Sequence, residues 1–220
     1  MIGPLLAIWQ ADTAFPSGGF AFSNGLEGLA AEIELSEGDL EGVIEGALRR
    51  RWATADRVAL LQAYERTPDL AAVAALDREV EAAMVSEPFR TGSRRNGASL
   101  LAAHARIGTP YASEWQATVR AGRAPGHLAV AQGVVWRGAG LEREGAALAS
   151  GYMTISAYAT AGVRLGIVGA VAAQATVRRL LPVLAELAAS PLPDNIESFS
   201  PRLEIAAARH ARGDLRLFSN

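Results

Sequence analysis

From Leu40 onward, apolar side chains recur at Val43, Ile44, Ala47 and Leu48, with the charges of Glu41 and Glu45 between them. Spacings of three and four put an apolar stripe on one side of a helix and charge on the other. Leu70, Val73, Ala74, Leu76, Val80 and Met84 repeat the arrangement less cleanly, and Leu100, Leu101, His104 and Ile107 continue it. The two-residue alternation of a half-buried strand is scarce. β-Branched residues are sparse, and only residues 133–136 and 166–171 carry enough of them to be argued as strands. The pattern predicts an all-α fold: about eight to ten helices in a single-domain bundle over residues 1–220.

Helix starts are marked by capping residues before prolines. Thr67-Pro68, Thr109-Pro110 and Ser200-Pro201 each set a capping side chain before a proline at the first helical position, and Ser86-Glu87-Pro88 is a looser version. Ser36 with Asp39 reads as a capping box. SPLPDNIESFS, residues 190–200, reads as a loop before a last helix over 201–212, with Gly213 as its C-cap. The following tail, DLRLFSN, is too apolar for a free end and has Arg216 among Leu215, Leu217 and Phe218. It either folds back or inserts into a partner, and the residues alone leave both open.

Two stretches break the helical monotony. The first is ADTAFPSGGFAFSNGLEGL, residues 11–29, a rigid-then-permissive turn studded with Phe15, Phe20 and Phe22. The second lies around Arg164, where Gly162, Gly166, Gly169, Ala170 and Ala173 fall at helical spacing and predict one stripe of small side chains. Interior glycines weaken a helix, and close approach of another helix, in the same chain or a second copy, is the usual compensation. Arg164 in this apolar setting needs an acceptor, either a carboxylate or several carbonyls.

Composition removes several chemistries. The chain has 220 residues, no cysteine, three histidines and a formal charge of −2. Disulfides, thiol nucleophiles and thiolate metal sites are excluded, and a reducing compartment, the cytoplasm, is expected. All 21 basic residues are arginine, so no lysine Schiff base and no P-loop lysine exists. Near-neutral charge gives no broad reason to bind nucleic acid. His104, His127 and His210 lack metal-ligand spacing, and no carboxylate pair stands out, so neither catalytic nor metal residues are assigned. Ser23, in AFSNG, loosely resembles a nucleophile elbow; a small helical serine hydrolase is the alternative reading, although no strand precedes the serine. The longest uncharged run, 145–163, is long enough to span a bilayer but weakly hydropathic, and reads as a buried or interface helix rather than a membrane span.

Three of these stretches together resemble the urease accessory protein F family (UreF). They are ADTAFPSGGFAFSNGLE; AGVRLGIVGAVAAQ, residues 161–174; and SFSPRLEIAAARHARGDLRLF, residues 198–218, with a weaker fourth in GHLAVAQGVVWRGAGL, residues 126–141. They occur in the family's order over nearly the whole chain. Phe22 stands where the family often has histidine, and the ending Leu217-Phe218-Ser219-Asn220 lacks a further arginine. The resemblance implies an all-α homodimer that is not an enzyme. Such a protein bridges a UreD-type (UreH) protein to the GTPase UreG and promotes nickel insertion into apo-urease, without tightly bound cofactor of its own and handling nickel only transiently. It implies partner contacts at Phe15, Pro16, Ser17, Gly18, Gly19, Phe20, Glu27, Arg164, His210, Arg216, Leu217 and Phe218. Gly162, Gly166, Gly169 and Ala173 are assigned to helix–helix or dimer contact, and the tail, 213–220, to partner-dependent order.

Overall fold

The computed structural model describes residues 2–211 and 217–218, and every regular element among them is a helix. In chain order these are α1 (Ile2–Ala11), a 3-10 turn (Gly19–Ala21), α2 (Leu26–Glu32), α3 (Glu37–Ala47), a π-helical segment (Leu48–Asp56), α4 (Arg57–Arg66), α5 (Leu70–Ala83), α6 (Glu87–Arg106), α7 (Ala112–Arg120), α8 (Leu128–Gly138), α9 (Arg143–Arg164), α10 (Ala170–Ala189) and α11 (Pro201–His210). α3, the π segment and α4 run on as one rod, because Ala47, Leu48, Asp56 and Arg57 all keep right-handed helical dihedrals. The all-α expectation holds. Residues 133–136 lie inside α8, and 166–171 are a turn plus the start of α10, so neither is a strand.

Caps explain several boundaries. Ser36 and Asp39 form the reciprocal capping box, with Asp39 N–H donating to Ser36 Oγ at 3.3 Å and Ser36 N–H to Asp39 Oδ2 at 3.0 Å. Ser200 and Ser86 take the N-cap positions of α11 and α6, each with proline in the first turn, but neither side chain makes the expected capping hydrogen bond. Thr67 and Thr109 do not start helices. Thr67 closes α4, its hydroxyl donating to Ala63 O at 2.8 Å, and Asp69 caps α5 by accepting from Ala71 and Ala72. Thr109 sits in a turn with its hydroxyl 2.8 Å from His104 Nδ1, while Tyr111 precedes α7. The Thr67 hydroxyl bonds back to the carbonyl four residues earlier, a local bond that threonine offers at a helix end.

The expected stripe of small residues is not one helix face. α9 ends at Arg164, Gly166 adopts φ +71°, and Gly169 is the N-cap of α10. Ile167 N–H donates to Gly162 O at 3.0 Å and Gly166 N–H to Val163 O at 3.1 Å, the paired bonds of a Schellman stop. The helix reverses there because Gly166 takes the left-handed conformation without a Cβ penalty. α10 then returns antiparallel along α9, and a Cβ at Gly151 would collide with Leu184 of α10 and Trp52 of the π segment.

Two apolar cores share the long elements. One gathers α4 to α8 with the first half of α9 around Trp115 and Trp136. The other gathers α2, α3, the π segment, the second half of α9, α10 and α11 around Trp52 and Leu26. The α3–α4 rod and α9 run through both and bind the halves together. The π segment also orders the loop before α11: Arg50 O and Thr54 O accept from Phe199 N–H and Glu197 N–H, each at 2.9 Å.

Two buried polar devices hold helix ends. The Arg57 guanidinium, almost wholly buried, donates to Leu187 O, Ala188 O, Ser190 O and Pro191 O, closing the C-terminus of α10 with positive charge. Asp77, also buried, accepts from Gly126 N–H at 2.5 Å and His127 N–H at 3.1 Å, closing the N-terminus of α8. Burial pushes the Asp77 carboxyl above its usual range, against those two bonds.

Candidate functional site

The opening turn is built residue by residue. Asp12 ends α1, its Oδ1 accepting from Ala14 N–H at 2.8 Å, so the chain bends at once. Phe15 packs edge-on against Trp9, centroids 5.4 Å apart, and lies 5.1 Å from the His104 ring. Pro16 is exposed and Ser17 half-buried. Gly18 takes φ +80°, and a Cβ there would sit 3.0 Å from Ser99 Oγ and 3.2 Å from Asn96 Oδ1. The backbone of Gly19 and Phe20 lies in the 3-10 turn. Phe22 then enters the interior and packs on the bare face of Gly92 in α6.

Below the turn lies a buried polar tie. Gln10 Oε1 accepts from Trp136 Nε1 at 2.7 Å and contacts His104 Nε2 at 3.1 Å, while His104 Nδ1 is 2.8 Å from Thr109 Oγ1. An oxygen that only accepts fixes a proton on Nε2, and in the neutral ring that burial favours, Nδ1 receives the threonine hydroxyl. Burial lowers the His104 pKa to about 4. This network fastens α1, and therefore the turn that follows it, to α6 and α8.

Gly25 and Gly28 set the next contact. A Cβ at Gly25 would stand 2.6 Å from Leu203 O, and one at Gly28 would strike Ala206 O, so α2 lies directly on α11. This contact delivers Glu27, 6% exposed, to His210, with Oε2 3.1 Å from Nε2. Glu27 Oε1 also accepts from Leu217 N–H at 2.6 Å. On the other side Arg164, at the end of α9, donates to Leu217 O at 3.4 Å and places its guanidinium 3.9 Å above the Phe218 ring, itself 5% exposed. Among the described residues, Arg164 thus meets a carbonyl and an aromatic face. Leu217 and Phe218 fold back onto their own chain, and the Leu217 side chain stays exposed.

The structure therefore brings together Glu27, Arg164, His210, Leu217 and Phe218 from three distant stretches. A groove of about 360 Å³ separates this cluster from the opening turn; its lining includes Asp12, Ser17, Gly19, Phe22, Arg164 and Phe218. Phe15 lies on the far side of the turn, in the tie to His104. The side chain of Phe20 and all of Arg216 lie outside the described residues, as do 213–216 and 219–220 of the tail and the Gly213 cap.

Among the small residues, Gly162 and Ala173 make helix contacts, but within the chain: Gly162 receives Leu40 of α3, and Ala173 is buried in the second core. Gly166 and Gly169 sit on an open turn with nothing near a would-be Cβ. Ser23 is completely buried between the 3-10 turn and α2, with no strand before it, which removes the serine hydrolase reading. His127 is a core residue, Nε2 at 2.7 Å from Glu81 Oε2 and Nδ1 at 3.1 Å from Ser93 Oγ. Among the described residues no group of three histidines or carboxylates could hold a metal, and no helix is long and apolar enough to cross a membrane.

Sequence reasoning missed Arg57 and Asp77, which look like ordinary surface charges in the chain. It also missed Gly133, where α8 lies so close to α4 that a Cβ would be 2.7 Å from Ala63 Cβ; the available signal was a lone glycine inside an apolar helical run.

Comparison with known proteins gives a consistent answer. A family model described as UreF matches residues 35–181. The urease accessory protein UreF of Mycobacterium sp. (strain JLS) is 32% identical over 221 residues, covering 98% of this chain and 97% of the relative. UreF 1 of Brucella melitensis biotype 1 is 28% identical over 99% of this chain and 93% of its own length. The UreF of Trichodesmium erythraeum is 28% identical over 100% of this chain and 98% of its own.

Proposed function

Because this chain belongs to the urease accessory protein UreF family, an accessory protein and not an enzyme, we propose that it serves urease maturation as a scaffold. It joins a UreD-type (UreH) protein to the GTPase UreG so that nickel is released next to apo-urease. It works as a homodimer in the cytoplasm. The single observation that supports this most is the meeting of Glu27, His210, Arg164, Leu217 and Phe218 beside the groove under the opening turn. These residues come from the three stretches that carry the family resemblance, and they build a face, not a reaction centre.

The mechanism is conformational coupling. An aromatic on a cation and a carboxylate on a backbone amide form a seat that a partner can engage or exchange for its own groups. Ordering a chain end on docking ties its conformation to assembly. Energy comes from GTP on UreG, since this chain has no phosphate cradle. Nickel is cargo: without thiols or clustered histidines, contact with it is brief.

The test is co-expression with a UreD-type and a UreG-type protein. Deleting residues 214–220 should abolish co-purification of the UreD-type protein while helical circular dichroism stays unchanged. Capture at full yield by the truncated chain would refute the tail's part in docking.

A further inference from the structure

Between the two apolar cores lies a cavity of about 140 Å³. Its wall draws on both: Ala129 and Met153 pack with the first core, Phe89 and Tyr158 with the second. An apolar cavity of about this size holds a benzene ring, a body of about six non-hydrogen atoms. This one is partly polar, and three side chains on its wall have hydrogen-bonding capacity that the chain itself does not use. Asn96, 8% exposed on α6, has a buried Oδ1 with no partner among the described residues. Gln132, 4% exposed on α8, offers Nε2 only the Met153 sulfur at 3.9 Å, a weak acceptor. Arg51, on the π segment, sets its guanidinium 4.2 Å from the centre of the Phe89 ring and its Nε 3.4 Å from Asp56 Oδ2. The two terminal nitrogens of Arg51 bond to no described residue. Other polar groups on the wall are committed: Ser150 Oγ accepts from Trp52 Nε1 at 3.2 Å, and Tyr158 Oη donates to Asn24 O at 3.1 Å.

Buried polar groups without partners are unfavourable, and one molecule placed among these three would satisfy them together. Their chemistry selects it. A guanidinium with both terminal nitrogens free matches a carboxylate. The first turn of α6, at Pro88 and Phe89, lies in the same wall, and its cap Ser86 makes no side-chain bond, so the positive end of that helix also favours negative charge. Asp56 beside Arg51 keeps the local charge low, which disfavours a doubly charged anion. Asn96 Oδ1 only accepts, so the occupant must also carry a donor. A hydroxyl suits this better than an ammonium, which would bring a second charge and three N–H groups into a buried place. We propose that the cavity binds a small hydroxycarboxylate of about six non-hydrogen atoms. Its carboxylate meets Arg51 and Gln132, its hydroxyl donates to Asn96, and its carbon skeleton lies on Phe22 and Phe89. Ser17, Gly19 and Phe22 of the opening turn share this wall with Met153 and Ala157 of α9, so an occupant ties the turn to the long helix common to both cores. Binding of this kind is independent of which proteins the chain serves.

Lactate and 3-hydroxypropionate are suitable probes, since both have this size and hold the hydroxyl at different distances from the carboxylate. Added to the nitrogen-15-labelled full chain, at least one of them should shift the side-chain amide signals of Asn96 and Gln132 saturably, with a dissociation constant of about 1 mM. Propionate lacks the hydroxyl and 1,2-propanediol lacks the charge, so each should bind roughly fivefold more weakly or worse. Arg51→Gln should weaken the hydroxy acid roughly tenfold. Ala157→Leu fills the void from α9 without removing a polar group, and should weaken it as much with helical circular dichroism unchanged. If neither acid moves the two amide signals well above that concentration, the cavity holds only water and the proposal falls. Propionate or propanediol binding as tightly as the hydroxy acid overturns it too, because Asn96 or Arg51 would then select nothing. So does undiminished affinity in Arg51→Gln or Ala157→Leu. Should either variant fail to fold, the four compounds on the parent chain decide alone.

Discussion

At the scale of single residues, the most consequential side chains were the least visible in the sequence. Arg57 is one arginine among many by its letter, and only the fold reveals it closing a helix end against four carbonyls. His104 was legible as a core residue, since it falls on an apolar stripe with Leu100 and Leu101, but its partners Gln10 and Thr109 were not. One is distant in sequence, and the other looked like a helix cap. The burial of His104 has a measurable consequence. Its folded pKa of about 4 lies below the ordinary value of 6.5, so the unfolded chain accepts a proton that the native chain refuses. Stability should therefore fall as pH drops from about 6.5 toward 4, with this group adding a slope approaching about 1.4 kcal/mol per pH unit. Urea denaturation of the parent and of His104→Gln over that range checks the sign. The difference between the two should widen in favour of the variant as the solution becomes more acid. Equal slopes would mean that the imidazole is reached by solvent and protonated in the native state.

At the scale of elements, periodicity identified helices wherever one face is buried and failed where small residues did two jobs. Ser36 and Asp39 were readable because both halves of a capping box lie within one turn. The run from Gly162 to Ala173 was misread because a glycine at a helix stop and a glycine at a helix contact have the same spacing on paper. Gly166 and Gly42 separate these roles. A Cβ at either would meet no neighbour, so alanine there tests backbone conformation alone. Gly166, at φ +71°, should lose about 1 kcal/mol on replacement by Ala. Gly42, in the interior of α3, should gain about 0.5–1 kcal/mol. Each kcal/mol moves the melting temperature of a chain this long by roughly 2–4 °C. Thermal unfolding of the two variants should therefore shift in opposite directions. A loss at both positions would mean that the α3 glycine is held by something other than helix propensity.

At the scale of the whole molecule, the meeting of opening turn, α9 end and chain terminus was legible only as three resembling stretches in a fixed order. No periodicity says that residues 27, 164, 210 and 217 touch. They meet because Gly25 and Gly28 let α2 lie on α11, and because the stop at Gly166 ends α9 beside them. Glu27 is the joint of this arrangement, since it holds Leu217 by a backbone amide and its other oxygen stands 3.1 Å from the His210 ring. Glu27→Ala removes the Leu217 bond and the His210 contact and leaves the two glycine contacts untouched. The α2–α11 packing should therefore persist, with a melting temperature lowered by only a few degrees for a loss of about 1–2 kcal/mol. The Leu217 amide should meanwhile lose its protection from hydrogen exchange. If the scaffold reading is correct, the same variant should capture a UreD-type protein with altered affinity, because the partner meets a chain end already released. Retained protection at Leu217 would show that Arg164 and the burial of Phe218 hold the terminus without the carboxylate. The seat would then be primarily aromatic and cationic, and Arg164→Ala would become the variant that releases it.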